Sequence, residues 1–354
     1  MKKRLSVFLA MCFVCFLLFI PGCKKKTGPA VKDIALLKMV PEDVSGIFCV
    51  NVKRLTELEF FKEKISNLNE NEREKTKGNT FDIYLDFLEK TGIDIETDLH
   101  GITIALFSAF LNDLSGEMDA NALILLELDY NKDKILSVLK EIMTEKNISY
   151  TEEVYKDGII FKLTNNSFPF LSNMTIENPA FYFINNKTIV VGKPEKLKQV
   201  IDLAKGTGKS ILLCEAMKSY LNSPCSAAMA SFAFIVPEGL KKKHESGLFK
   251  FDLSHAEIVS GNVDQRRKVW EGEIKLISKN AQANAQFASV LAFLKTLGGA
   301  TLGAEFSEMI DNIHLKSSAE DVTLSFATHE KEFTALLKKI KEAQIGLPGL
   351  MGEK

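Results

Sequence analysis

Tryptophan occurs once in 354 residues, histidine five times and cysteine six times, and each scarcity removes a class of chemistry. His100, His244, His255, His314 and His329 are scattered, and none falls in H-E-x-x-H or another short metal-ligand spacing. Cys49, Cys214 and Cys225 contain no C-x-x-C; Cys214 and Cys225 are candidates to pair, but nothing in their spacing demands it. No G-x-S-x-G nucleophile elbow is present, and Ser226 and Ser231 flank an apolar run without a visible base. With 45 basic and 46 acidic side chains there is no charge excess to attract nucleic acid. The longest apolar run, Leu5 to Ile20, has 16 residues. At ~1.5 Å per residue it reaches ~24 Å, short of the ~30 Å that a spanning helix must cross.

That short run is the most informative stretch. Lys2, Lys3 and Arg4 precede it, and Ile20-Pro21-Gly22-Cys23 closes it, which is the layout of an export signal. The ending resembles the lipobox of bacterial lipoproteins: Gly22 and Cys23 match, Ile20 is a tolerated branched residue, and Pro21 is less usual. The resemblance implies cleavage between Gly22 and Cys23 and acyl chains on Cys23, which anchor the chain to a membrane on its extracytoplasmic side. In a host with two membranes, Lys24 after the cysteine points to the periplasmic face of the outer membrane. A membrane-spanning reading also conflicts with Lys24, Lys25 and Lys26, because positive charge normally stays on the cytoplasmic side. Removing Lys2, Lys3 and Arg4 leaves 42 basic against 46 acidic side chains.

Roughly 330 mature residues exceed the size at which single cores usually split. Residues 23–38 read as the lipidated N-terminus and a polar tether. The body opens with Val40-Pro41-Glu42-Asp43 and a strand over Gly46 to Val52, then a helix carrying Leu55, Leu58, Phe61 and Ile65. Residues 67–79 are a polar loop, and Phe81, Tyr84, Leu85 and Leu88 restart a helix ending near Gly92. Residues 101–108 and 121–128 are strands, followed by a helix with Ile135, Val138, Leu139 and Ile142 on one face. Asp157-Gly158 marks a hairpin tip, and Asn185-Asn186 marks another. A helix with Leu197, Val200 and Ile201 inward stops at Gly206 and Gly208. The second half repeats the scheme: a strand over Met229 to Val236, a charged loop from Lys241 to Gly247, and strands over His255 to Val263 and Val269 to Ile277. A helix facing inward through Phe287, Val290, Leu291, Leu294 and Leu297 follows, then a strand pair at Ile313 to Leu315 and Val322 to Phe326, and a last helix through Phe333 and Ile340. The expectation is an α+β fold of two similar lobes, each an antiparallel sheet with helices packed against it, related by pseudo-duplication. Residues 39–208 form the first lobe, 209–345 the second, and 346–354 a tail; the alternative is one sheet shared by both halves. Val40-Pro41-Glu42-Asp43, Thr91-Gly92-Ile93-Asp94 with Asp98-Leu99, and Val190-Val191-Gly192-Lys193 resemble a family of exported bacterial proteins of unknown function. That resemblance implies duplicated α+β lobes and supplies no catalytic residue.

Motifs suggesting chemistry fail on spacing. Lys205-Gly206-Thr207-Gly208-Lys209-Ser210 ends like a phosphate-binding loop, but Leu203 stands where the first glycine belongs and a helix leads in instead of a strand. Asp94, Glu96 and Asp98 are spaced as in a calcium loop, but Leu99 and Ala105 occupy the positions of its glycine and bidentate glutamate. His255 and His314 fall on predicted strands as structural histidines, and His244-Glu245 reads as a surface pair. Asn165, Asn173 and Asn186 begin Asn-x-Ser/Thr triplets, read as loop and turn residues. The expected function is a non-enzymatic, membrane-anchored envelope lipoprotein that acts as an interaction or scaffolding module, with no metal, cofactor or nucleic acid. The alternative, motivated by 25 phenylalanines and amphipathic sheets, is a carrier or sensor of a hydrophobic, lipid-like ligand.

Overall fold

The computed structural model describes residues 34–59, 61–62, 80–107, 122–145, 147–163, 178–221, 228–241, 244–246, 249–251, 253–302 and 306–336. They form an α+β architecture dominated by antiparallel sheet with helices packed on it. Contacts divide the chain between Asn222 and Ser223, not after residue 208. Residues 209–211 stay with the first unit because Ser210 bridges Pro41, the Glu42 amide donates to the Lys209 carbonyl and the Ile211 amide donates to the Val40 carbonyl.

The first unit begins with α1 (Ile34–Leu37) and β1 (Val44–Asn51). Asn51 ends the strand one residue earlier than the apolar run suggests, because its side chain accepts the Arg54 amide at 3.1 Å and caps α2 (Val52–Thr56). Next come α3 (Thr80–Thr91), β2 (Leu99–Phe107), β3 (Ala122–Leu128), α4 (Lys132–Glu145), β4 (Tyr150–Tyr155), β5 (Gly158–Leu163), β6 (Ala180–Phe183), β7 (Thr188–Gly192) and α5 (Pro194–Ala204). The strands are ordered β1-β2-β3-β7-β6-β5-β4, all pairs antiparallel. Side chains alternate faces along each strand. On β2, Thr103, Ala105 and Phe107 are buried, while Ile102, Ile104 and Leu106 are half-exposed. One face packs Phe161, Phe181 and Phe183 against Ile135, Leu139 and Met143 of α4. Phe161 and Phe181 stack with centroids 4.9 Å apart and Phe183 meets both edge-on. The opposite face of β5 to β7 is covered by α5, which buries Leu197, Val200 and Ile201.

The β4–β5 hairpin has Lys156 and Asp157 as its loop, with Tyr155 paired to Gly158, so the tip lies one residue before the expected Asp157-Gly158. Lys156 takes the positive φ, 55°. Gly158 is in the strand, and a Cβ there would lie 2.2 Å from the Tyr182 hydroxyl; glycine admits the tyrosine ring instead of making the turn.

The second unit follows α6 (Lys218–Leu221), which closes the first. It comprises β8 (Ala230–Ile235), α7 (Glu238–Lys241), β9 (His244–Ser246), β10 (Phe249–Phe251), β11 (Ala256–Arg266), β12 (Val269–Ser278), α8 (Ala281–Leu302), α9 (Ser307–Asp311), β13 (His314–Ser317) and β14 (Asp321–His329), with residues 330–336 helical after it. Its sheet is ordered β8-β11-β12-β14-β13. The stretch expected to be a charged loop forms a separate two-stranded ladder, β9 with β10. On β12, Trp270 and Leu276 are buried while Glu271, Glu273, Ile274 and Lys275 are partly exposed. Trp270 stacks on Phe333 at 4.3 Å.

Candidate functional site

Gly22 and Cys23, the cleavage and lipidation residues of the sequence reading, lie outside the described residues, as do the tether through residue 33, the loop 67–79, Asn165, Asn173, Cys225, Ser226 and the tail 346–354. The described residues place the other candidates. In the phosphate-loop lookalike, Gly206 and Gly208 adopt φ of +80° and +100° beyond the C-terminus of α5. The Thr207 hydroxyl and amide both donate to the Asp202 carbonyl, the Lys205 ammonium meets Asp157, and Lys209 lies 3.5 Å from Glu42. The segment is a helix stop bonded to its surroundings, not an open cradle for phosphate.

The acidic triplet serves its own turn. Asp94 Oδ1 accepts the Glu96 amide at 2.8 Å and Asp98 Oδ2 accepts the Asp94 amide at 2.9 Å. Among the described residues, no group of three or more His, Cys, Asp or Glu side chains is arranged to hold a metal.

The turn leads into the best-defined polar cluster of the first unit. His100 Nε2 and Asp129 Oδ2 are 2.8 Å apart, and Lys187 lies 3.0 Å from Asp129 Oδ1. The start of β2, the end of β3 and the β6–β7 turn supply the three side chains, and the Asp129 amide donates to the Asp98 carbonyl. The His100 hydrogen bond, then that from Lys187, holds the Asp129 carboxyl below its usual range. Tyr130 beside it donates to the Asn185 carbonyl, and burial pushes its phenol up to about 12. A histidine oriented by a carboxylate is two-thirds of a hydrolytic triad. Here Asp129 is half exposed and shared with Lys187, and the ring's one hydrogen-bond partner among the described residues is Asp129; no serine, threonine or cysteine meets it. The arrangement ties three loops together. Sequence reading missed the pairing because His100 and Asp129 are 29 residues apart and meet only through the β2–β3 register.

The remaining candidates disperse. His255 occupies the turn before β11 and His314 opens β13; both are exposed, which corrects the expectation of satisfied strand histidines. Each strand begins one step later, or bears the residue at its end, where solvent reaches it. His244 and Glu245 sit on β9 instead of in a loop. Cys49 is half-buried and receives the Thr103 hydroxyl at 3.8 Å; Cys214 is half-buried as well, and neither is in a disulfide. Ser231 is buried opposite Asn262 in the β8–β11 ladder.

The second unit presents an apolar surface where sequence reading expected a buried one. α8 spans 22 residues with Lys295 as its sole charge. Asn280 caps it by accepting the Ala283 amide at 2.9 Å. Asn284 then donates to the Ser278 and Ser318 carbonyls, while Lys295 donates to the Ile313 carbonyl at 2.8 Å and reaches that of Asp311. Leu291 packs on Leu324 and Phe326 between these two anchors. Asn284, Leu291 and Lys295 share one face at ~100° per residue, so Phe293, Leu294 and Leu297 turn away. Those three are 52%, 37% and 45% exposed. This corrects the inward placement of Leu294 and Leu297: the anchored stripe contains an asparagine and a lysine, which a purely apolar pattern assigns to the outside.

The chain matches no family model and no curated protein. Among solved structures it is similar to TP0453 in three crystal forms. Form III gives a TM-score of 0.47 at 9% identity over 89% of this chain and 100% of that one. Form I gives 0.42 at 8%, over 90% and 99%, and form IV gives 0.42 at 10%, over 85% and 95%.

Proposed function

We propose that this chain is a lipoprotein, held at the extracytoplasmic face of a membrane through acyl chains on Cys23, and that its body is a non-enzymatic interaction module. The signal layout ending at Gly22-Cys23 supports the anchor. A thioether-linked diacylglycerol and an N-acyl chain together place three acyl chains on Cys23, more than the two signals that stable anchoring takes. The observation carrying the interaction role is α8: its outward stripe of Phe293, Leu294 and Leu297 bears no charge, because the helix's one cation is folded inward. Such a stripe fits the apolar surface of an envelope partner protein.

The two units read as a duplicated lobe, and their strand orders support this. In each, three antiparallel strands are followed by a helix, and a later strand returns beside the third: β7 next to β3, and β14 next to β12. The first lobe then carries β4 and β5 as additions at its edge. A photo-crosslinking residue at Leu297, in the protein within its own envelope, tests the interaction role. The expected result is one dominant protein adduct that a probe at exposed Lys316 does not give; equal labelling at both sites would refute it.

A second reading, a carrier of a lipid-like ligand, has one favouring observation. Phe48 and Val50 of β1 with Ile102, Ile104 and Leu106 of β2 form a half-exposed apolar face in the first unit. Lipid retained through purification from the envelope, and lost in Ile104→Asp, is its expected signature.

A further inference from the structure

The sheet of the first unit ends on an edge that its own side chains do not protect. β4 is the outermost strand, and among the described residues no strand lies beyond it. Its ladder with β5 runs from Tyr155–Gly158 to Tyr150–Leu163 without a shift of register. The pair that closes a two-residue hairpin exchanges hydrogen bonds, and bonding alternates from there. Tyr155, Glu153 and Thr151 therefore bond to β5, while Val154, Glu152 and Tyr150 turn their N–H and C=O groups outward. Natural edges are blunted by lysine, proline, a bulge or shortness. The edge strand β13 of the second unit follows that rule, with four residues and an exposed His314 and Lys316. β4 has six residues, Tyr-Thr-Glu-Glu-Val-Tyr, with neither lysine nor proline. Its Val154 stands 75% exposed, opposite Ile159 at 40%.

We infer that a second copy of this chain binds here, each β4 pairing antiparallel with the other across a twofold axis. Charge selects the register. The outward groups sit on even-numbered residues, so the registers that pair most of the strand centre on Thr151, Glu152 or Glu153. A centre at Glu152 or Glu153 sets a carboxylate opposite its own copy, which is destabilising. A centre at Thr151 avoids this: threonine meets threonine, Tyr150 of each copy exchanges backbone hydrogen bonds with Glu152 of the other, and Val154 lies opposite half-buried Ile148. It also leaves the ion pairs of Glu152 with Lys140, at 3.4 Å, and of Glu153 with Lys198, at 2.6 Å, within each copy. The contact uses neither α8 nor Cys23, so it stands or falls apart from the function proposed above.

Residues facing each other in a non-hydrogen-bonded antiparallel pair have Cα atoms ~4.5 Å apart, within the ~4.4–6.8 Å that a disulfide bridges. Thr151 is exposed and accepts the test substitution. Thr151→Cys in the full chain, oxidised with copper–phenanthroline in its own envelope, is expected to give a reducible adduct of twice the chain mass. Val154→Cys is exposed as well but lies several residues from its own copy in this register, so it reports random collision; the unaltered chain reports the native thiols. Adding Val154→Lys to Thr151→Cys is expected to lower the adduct about fivefold without lowering the melting temperature, since a lysine blunts the edge at a side chain that packs on nothing within the copy. No adduct from Thr151→Cys, an equal adduct from Val154→Cys or from the unaltered chain, or an adduct indifferent to Val154→Lys overturns the inference.

Discussion

Single residues in this chain do work that their type conceals. Gly158 sits beside a turn but is needed because the Tyr182 ring occupies the space of a Cβ. Gly158→Ala is therefore expected to cost about 1–3 kcal/mol by overpacking, read as a lower urea midpoint with an unchanged slope. A merely turn-forming glycine would instead tolerate Asn. Asp157-Gly158 located the hairpin in the sequence but set its tip one residue late, since ring contact and turn chemistry leave the same glycine. Glu153 is a second example. Lys162 and Lys198, from β5 and α5, meet its two oxygens at 2.5 and 2.6 Å and hold its carboxyl below its usual value of 4.5. A depressed folded-state pKa gives stability that is present above the unfolded value and lost as pH falls through the folded one. Chemical-denaturation midpoints should thus drop as pH falls below about 4.5, and Glu153→Gln should drop less steeply across the same range.

At the scale of elements, period-2 and period-3.6 patterns located most strands and helices. The inward faces of α4 and α5 were legible because Ile135, Val138, Leu139 and Ile142, and Leu197, Val200 and Ile201, are apolar and buried. The same logic failed on α8, where nearly every position is apolar and periodicity has no contrast. Its orientation is set by Asn284 and Lys295 donating to carbonyls at strand and helix ends, and long-range polar anchors leave no periodic trace. Leu294→Ser should accordingly change stability by no more than about 0.5 kcal/mol, as surface substitutions do, while abolishing the crosslink from the probe at Leu297. A loss of several kcal/mol in thermal melts would show that the stripe is packed and not a contact surface.

For the whole molecule, an antiparallel α+β body was readable from alternating runs, and the boundary near residue 222 was not. Residues 209–211 look like the start of a new segment, yet they bond back to Val40, Pro41 and Glu42 some 170 positions earlier, a contact no local pattern encodes. The lookalike phosphate and calcium loops fail on spacing in the sequence, and the structure gives each a local role in a helix stop or a turn. The His100–Asp129 pair escaped detection because strand register, not sequence proximity, brings it together. What unites the chain is the proposal that its body is carried at a membrane by Cys23. The most direct measurement is the intact mass, with N-terminal peptide sequencing, of the protein extracted from its own membranes. The expected result is a chain that starts at Cys23 and carries a thioether-linked diacylglycerol and an N-acyl chain, both lost with the membrane association in Cys23→Ser. A chain that begins elsewhere, or bears an unmodified Cys23 thiol, contradicts it.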